Sequence, residues 1–532
     1  MSKPLIMANL AHLRTVNTVG SESPPDNPLS RRASALKVLL LEALFPPDAA
    51  WGSAKLEQGY LPPIGMISVY VWLKYRGYNV DLIDTQFGDY TADTLKAHLR
   101  RKVYDVVAIP VYTSTADYAF QTGKLVKEAL PNCTLVMGNI HVTILPELSM
   151  QQCPELDFII RHEAEYCMDE FLTALADGEH DWSSIRGLVY RDGHRVVVNP
   201  QRPFIRDLDD LPLGYYADLD LLRYVPHPTQ YVALPNFPLL TQRGCPYPCT
   251  YCEASLILGK KTRYYSPERV IEELRILMHE KGARGVYFQD STFTMNRKYV
   301  MELMELMIKA NLGLLWSCNT RADRVDPELL DAMYKAGGRA IILGIESGNQ
   351  SSLNLIRKNT TLEKQTQGVE WIRDAGFRYS TSFIICLPGE TGEMVQNTIR
   401  YAKMLGAQIS MFYLPVPYPG SDLYESCRAD GGIRRTATWS DYLAIDFHNP
   451  VYVNPSFGIE GMRYWYKRAF IEYYSAPRVW ASNLRTINSV QDVHRIVRGG
   501  RAVVALITNG ILGYVRHLYR GYHGQMAPTA EL

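Results

Sequence analysis

No apolar run in this 532-residue chain is long enough to span a bilayer; even AVVALITNGILGYV, over 502–515, is too short. An excess of charge is missing too. The net charge is +1, which gives no electrostatic reason to expect nucleic acid, a local basic patch aside, and a small-molecule substrate is expected instead. The N-terminus lacks the continuous apolar core of a signal peptide. The nine cysteines are odd in number and scattered, which argues against a disulfide framework and for a reducing cytoplasm. No repeat of solenoid period occurs.

What is present is ordinary globular material, 47% hydrophobic and 21% charged, enough for two or more cores. Residues 1–35, rich in Ser, Pro and Asn, read as a disordered leader. From 36 to 184 short apolar runs alternate with helical patterns: KVLLLEAL, then PPIGMISVYVWLKYRGY, NVDLID, DVVAIPVY, CTLVMGNIH and DFIIRHEAE. That alternation predicts an α/β unit with a parallel sheet, whose ligand would lie at the carboxyl edge of the strands. Residues 185–235 read as a linker with a hairpin turning at Asp192–Gly193. From 236 to 431 the alternation resumes with six strand-like runs, predicting a partial (β/α)6 barrel of the TIM kind. Ser266-Pro267-Glu268 marks one helix start by a capping serine and a first-turn proline. Residues 432–532 read as a helical region rich in aromatic and basic residues.

The strongest local signal is Arg243-Gly244-Cys245-Pro246-Tyr247-Pro248-Cys249-Thr250-Tyr251-Cys252. Its C-x3-C-x2-C spacing falls in a loop just after an apolar strand. Thiolates are the usual ligands of iron–sulfur clusters. Three of them on a four-iron cube leave one iron open for another ligand. A structural zinc ion would want a fourth ligand, and none stands near in sequence. Cys133, Cys153 and Cys167 lie on or beside buried-looking segments and read as small hydrophobes, unlike the second cluster ligands of methylthiotransferases.

The cysteine motif resembles that of the radical SAM superfamily, and more closely the class with a Rossmann-like cobalamin-binding domain ahead of the barrel. CNTRADRVD, LGIESG, LPGET and PYPGSDLY resemble its barrel segments, and GNIHVTILPEL a segment of its cobalamin domain. The resemblance implies a 4Fe–4S cluster on Cys245, Cys249 and Cys252, with S-adenosylmethionine chelated to the open iron. Tyr251, Asp290, Asn319, Arg321, Glu346 and Ser382 would contact S-adenosylmethionine. Asp290 would take its amino group, Arg321 its carboxylate and Glu346 its ribose, unless these are barrel-mouth salt bridges. Tyr112, Thr113 and Ser114 in one loop, and Gly138, Asn139 and His141 in another, would contact cobalamin. The Asp-x-His-x-x-Gly pattern that supplies a lower cobalt ligand in many corrin domains is absent, which argues against a histidine ligand. Asn139 stands where the family commonly has glycine.

The implied activity is methylation of an unactivated carbon in a small natural-product or lipid intermediate, through a 5′-deoxyadenosyl radical and methylcobalamin. The alternatives are cyclisation or rearrangement without methyl transfer, and a protein that holds the cofactors without turnover. An external electron donor of flavodoxin or ferredoxin type is implied. For the stretch from Arg495 to Arg520, a helical cap is preferred over membrane contact.

Overall fold

The computed structural model describes residues 21–22, 30–46, 59–179, 181–213 and 219–486, with 493, 497 and 500. Most of the expected leader, and nearly all of the stretch from Arg495 to Arg520, therefore lie outside the described residues. Where the leader is described it is ordered. Arg31–Ala35 is a short helix capped by Ser30, and Ser21–Glu22 pairs with Phe204–Ile205.

Seven strands form the first sheet: β1 (Lys37–Leu41), β2 (Asn79–Ile83), β3 (Val106–Pro110), β4 (Thr134–Gly138), β5 (Phe158–Ile160), β6 (Leu188–Asp192) and β7 (Arg195–Val198). Their order is β2-β1-β3-β4-β5-β6-β7. The first five are parallel, and β6 and β7 are antiparallel additions. The hairpin expected in a linker thus belongs to this sheet, where β6 covers the backbone edge of β5. Its turn is one residue later than expected, because Gly193, at φ 57°, takes the first turn position. Alternate residues serve two cores, as the period of a strand requires. Val38, Leu40, Val106 and Val136 face the helices Ile64–Arg76 and Glu165–Asp177. Leu39, Leu41, Val107 and Leu135 face Ala92–Arg101 and Ala116–Ala129.

A small antiparallel hairpin of β9 (Gln242–Arg243) and β10 (Arg263–Tyr264) follows β8 (Asn236–Leu239). β8 opens the second sheet, which continues with β11 (Gly285–Phe288), β12 (Leu315–Thr320), β13 (Gly338–Glu346), β14 (Arg378–Ile384) and β15 (Ile409–Tyr413). The order β8-β11-β12-β13-β14-β15 is parallel throughout. β8 and β15 are not paired to each other among the described residues, so this is an open barrel of six βα units. Ser266 caps the helix Pro267–Lys281 through Arg269 N, as its sequence predicts. Beyond the barrel the chain is irregular before it is helical. Ala437, Trp439, Tyr442 and Val451 lie in the core of the first sheet, and the helices Gly458–Tyr474 and Pro477–Arg485 then return to the barrel.

A buried ion network joins the two sheets. Glu163 and Glu165 follow β5. Arg243, on β9, pairs with Glu163 at 3.2 Å and Glu165 at 2.8 Å, while Arg263, on β10, pairs with Glu163 at 2.8 Å. Ser68 completes it, donating to Glu165 at 2.6 Å and accepting from Arg243 at 2.9 Å. Burial pushes the Glu165 carboxyl up, but the Arg243 charge and the hydrogen bonds outweigh it and hold it below its ordinary value. Removing one member leaves an uncompensated buried charge. Glu163→Ala, which strips a partner from both arginines, is expected to lower the unfolding free energy by about 3–5 kcal/mol. Urea unfolding of variant and parent at one pH checks this.

Candidate active site

The cysteine loop leaves β9 through Gly244, at φ 101°. A Cβ there would meet the Lys261 carbonyl oxygen at 2.3 Å, so no side chain fits as the loop crosses the returning chain. Cys245 N donates to Gly259 O at 3.0 Å, Thr250 N to Ile356 O at 3.0 Å, and Leu423 N to Thr250 O at 2.8 Å. The loop is thus tied to three other segments. Cys245 is buried, Cys249 half-buried and Cys252 exposed. Burial pushes the Cys249 thiol up, against the pull of Lys358 and Arg321. Those two cations would offset the charge that three thiolates bring. Among the described residues no three Cys, His, Asp or Glu side chains converge as ligands of a single ion do. A four-iron cube differs from such a site in binding each thiolate through a separate iron.

Beside the loop stands a tight polar group. Glu346, held at φ 72°, accepts at Oε1 from Tyr251 Oη and from Lys358 Nζ, both at 2.8 Å. Gly344 makes room for it; a Cβ there would lie 2.4 Å from that oxygen. Arg321 forks onto Asp323 at 2.9 and 2.8 Å, donates to Lys358 O at 2.7 Å and lies 3.9 Å above the Tyr247 ring. Its Nη1 is buried and has no partner among the described residues. One donor of the fork thus remains for a carboxylate. Ser382 lies opposite Gly344 in the sheet, its hydroxyl near Leu343 O at 3.4 Å. Asn319 accepts from Tyr287 Oη at 2.9 Å.

Asp290 is used differently from what its position at a strand end suggests. It is fully buried. Its Oδ1 accepts from Thr241 N at 2.8 Å and Gln242 N at 3.1 Å, and its Oδ2 from Thr241 Oγ1 at 2.7 Å. Both oxygens brace the turn that leads to the cysteines, taking three of the carboxylate's acceptor sites. Burial pushes this carboxyl up to about 7 against those bonds.

On the first sheet the loops after β1, β3 and β4 meet where the strand order reverses, the usual ligand crevice of such sheets. A cleft opens there, lined by Leu40, Ala108, Val136, Gly138, Met168 and Ile257 together with Glu163, Glu165 and Arg243 of the ion network. Its lining is mostly apolar, as that of ligand clefts usually is. Tyr112 is exposed; Thr113 is buried and Ser114 is half-buried. Asn139 lies at φ 78°, ψ −171°, a conformation natural to glycine and strained by about 1–3 kcal/mol for other residues. His141 does not reach the cleft. It is buried against Trp439 at 4.5 Å and Phe120 at 5.9 Å, and burial pushes it down to about 3. Asp-x-His itself occurs at 192–194, 446–448 and 492–494, in no case with glycine three residues after the histidine, and the first spans the β6–β7 turn.

Sequence reasoning missed Lys358, Tyr247 and Asp323, and it missed Glu42. Glu42 follows β1, is buried, and has an Oε2 without a partner among the described residues. Burial, and behind it Asp84, pushes its carboxyl up to about 8, so it holds its proton. A neutral, unmatched hydrogen-bonding group at the crevice suits a ligand rimmed by amides, as a corrin is. A charged residue ending an apolar run was the available signal, here and in HEAE.

The chain matches the radical SAM superfamily over residues 239–402 and the B12 binding domain over residues 57–172. It is 32% identical over 445 residues to the uncharacterized methyltransferase PH0819 of Pyrococcus horikoshii, covering 84% of this chain and 94% of that protein. It is 30% identical over 387 residues to the anaerobic magnesium-protoporphyrin IX monomethyl ester cyclase of Rubrivivax gelatinosus, covering 71% and 68%. Among solved structures, the radical S-adenosylmethionine methyltransferase TsrM from Kitasatospora setae, with cobalamin and a [4Fe–4S] cluster bound, shares the fold. The TM-score is 0.65 over 90% of this chain and 99% of that one, at 15% identity.

Cys249→Ala is expected to abolish the iron–sulfur absorption of reconstituted protein together with S-adenosylmethionine cleavage, while Cys318→Ala, buried in the barrel core, keeps both. Retained iron absorption and cleavage in Cys249→Ala would show the ligand set to be wrong. Glu42 supplies a pH test. Its folded value of about 8 lies above the ordinary 4.5, so the stability it contributes falls as pH rises through that window. Glu42→Gln is expected to flatten this decline, read from urea midpoints across the window; parallel curves would count against a buried neutral carboxyl.

Proposed function

Since the chain belongs to the cobalamin-dependent radical SAM enzymes, we propose that it is a methyltransferase acting on an unactivated carbon of a small natural-product or lipid intermediate. When bound, the cluster and S-adenosylmethionine supply a 5′-deoxyadenosyl radical that takes a substrate hydrogen, and cobalamin supplies the methyl group. The residues do the placing. Cys245, Cys249 and Cys252 hold the cluster as thiolates, with Lys358 and Arg321 offsetting their charge. Arg321 Nη1 takes the carboxylate of S-adenosylmethionine, Glu346 its ribose, and Tyr251 packs beside it, with Ser382 and Asn319 at the rim. Tyr112, Thr113, Ser114, Gly138 and Asn139, with Glu42 behind them, hold cobalamin, and the apolar cleft takes its heterocyclic tail. The Arg243 network keeps the cysteine loop facing the corrin crevice, so one substrate is reached from both sides. An electron donor of flavodoxin or ferredoxin type docks where Cys252 is exposed.

Likeness to a methyltransferase along 94% of its length carries methyl transfer. Ring closure is the second reading, favoured by the match to the cyclase. Reconstituted enzyme given S-adenosylmethionine labelled in its methyl group, with cobalamin and a reductant, separates them. Methyl transfer predicts label in the cobalamin fraction alongside 5′-deoxyadenosine and methionine. Formation of 5′-deoxyadenosine with cobalamin unlabelled would favour ring closure, and no cleavage at all would sink both. Arg321→Lys is expected to weaken S-adenosylmethionine binding by about tenfold, or 1.4 kcal/mol, by losing the planar fork. Equilibrium dialysis reads this.

A further inference from the structure

The C-terminal helices carry apolar residues that their packing does not use. The helix Gly458–Tyr474 buries Met462, Tyr466, Phe470 and Tyr473, the last two against Phe412 of β15. Yet Tyr464 and Ile471, seven residues apart on the opposite side, are 55% and 48% exposed. The helix Pro477–Arg485 buries Val479 and exposes Trp480 by 60% and Leu484 by 65%, one turn apart. The Trp480 indole donates to Tyr474 O at 2.8 Å, so the second stripe begins where the first ends. Val493 and Val497, again four apart, are exposed as well.

Charge follows the same stretch. Residues 475–532 hold seven arginines and two acids, a net +5, whereas the preceding 474 residues carry −4. Arg478 and Arg485 are exposed beside Trp480 and Leu484. Ile471 and Leu484 give nucleobases nothing to stack on, and with Tyr464, Trp480 and the arginines they suit a bilayer interface, where apolar side chains sink below the headgroups and arginines meet phosphates. Among the described residues no helix is long and apolar enough to cross a membrane.

We propose that the face formed by Tyr464, Ile471, Trp480 and Leu484, with its flanking arginines, docks the enzyme on an anionic phospholipid surface. The inference does not depend on which reaction the site performs.

The test is sedimentation of the full-length holoenzyme with vesicles of equal phosphatidylcholine and phosphatidylglycerol, against vesicles of phosphatidylcholine alone. At low salt, binding to the anionic vesicles is expected to be at least tenfold tighter, and to weaken as salt rises. The double variant Trp480→Glu with Leu484→Glu is expected to lose binding at least tenfold while keeping its melting temperature and iron absorption, since both side chains are exposed. Equal binding of variant and parent, or no preference for the anionic vesicles, would overturn the proposal. So would release from the vesicles by a short RNA, or a dimer in solution that shields Trp480.

Discussion

The Glu163 carboxylate, shared between Arg243 and Arg263, is the contact on which the rest depends. It joins the end of the first sheet to the hairpin that launches the cysteine loop. A buried ion pair adds little net stability, because desolvation cancels most of the attraction. What it adds here is definition: a carboxylate between two guanidinium groups has one satisfactory arrangement, and a slide of one sheet past the other would leave charges unpaired. Cys245 stands two residues beyond Arg243, so the cysteine loop inherits that registration.

The braces of the loop repeat the same economy. Asp290 spends both oxygens on the turn before the cysteines, Gly244 lets that turn pass the chain near Lys261, and Thr250 hangs between two barrel loops. None of these groups reaches a reacting atom. Two groups with unspent capacity stand beside the proposed sites: the Nη1 of Arg321 on the barrel side and the Oε2 of Glu42 on the sheet side. Unmatched polar atoms are costly in a buried setting, and a bound ligand is one way to satisfy them.

Much of this was legible in the sequence, because the period of a strand, the capping serine at Ser266 and the cysteine spacing are local properties. What was not legible depended on distant partners. Asp290 at a strand end reads equally as ligand contact or brace until Thr241 is seen opposite it. His141 reads as a corrin contact until Trp439, almost three hundred residues later, covers it. Glu163 and Glu165 lie some eighty residues before Arg243, and nothing in HEAE names the partner. Glycine patterns were informative but not exclusive, since Asn139 adopts a glycine-like backbone with a side chain present.

The segment around Trp439 bears on how the chain is made. The first sheet is complete once Val198 has been synthesised, but Ala437, Trp439, Tyr442 and Val451 belong to its core. At about 5–20 residues per second, the roughly 240 residues between take on the order of ten seconds to a minute to appear. Through that interval the helix Ala116–Ala129 and His141 wait with an uncovered apolar face. The core of the first sheet therefore closes only after the barrel strands have been translated, although its own strands precede them, and a fragment ending at the barrel would leave the ribosome with that face still open.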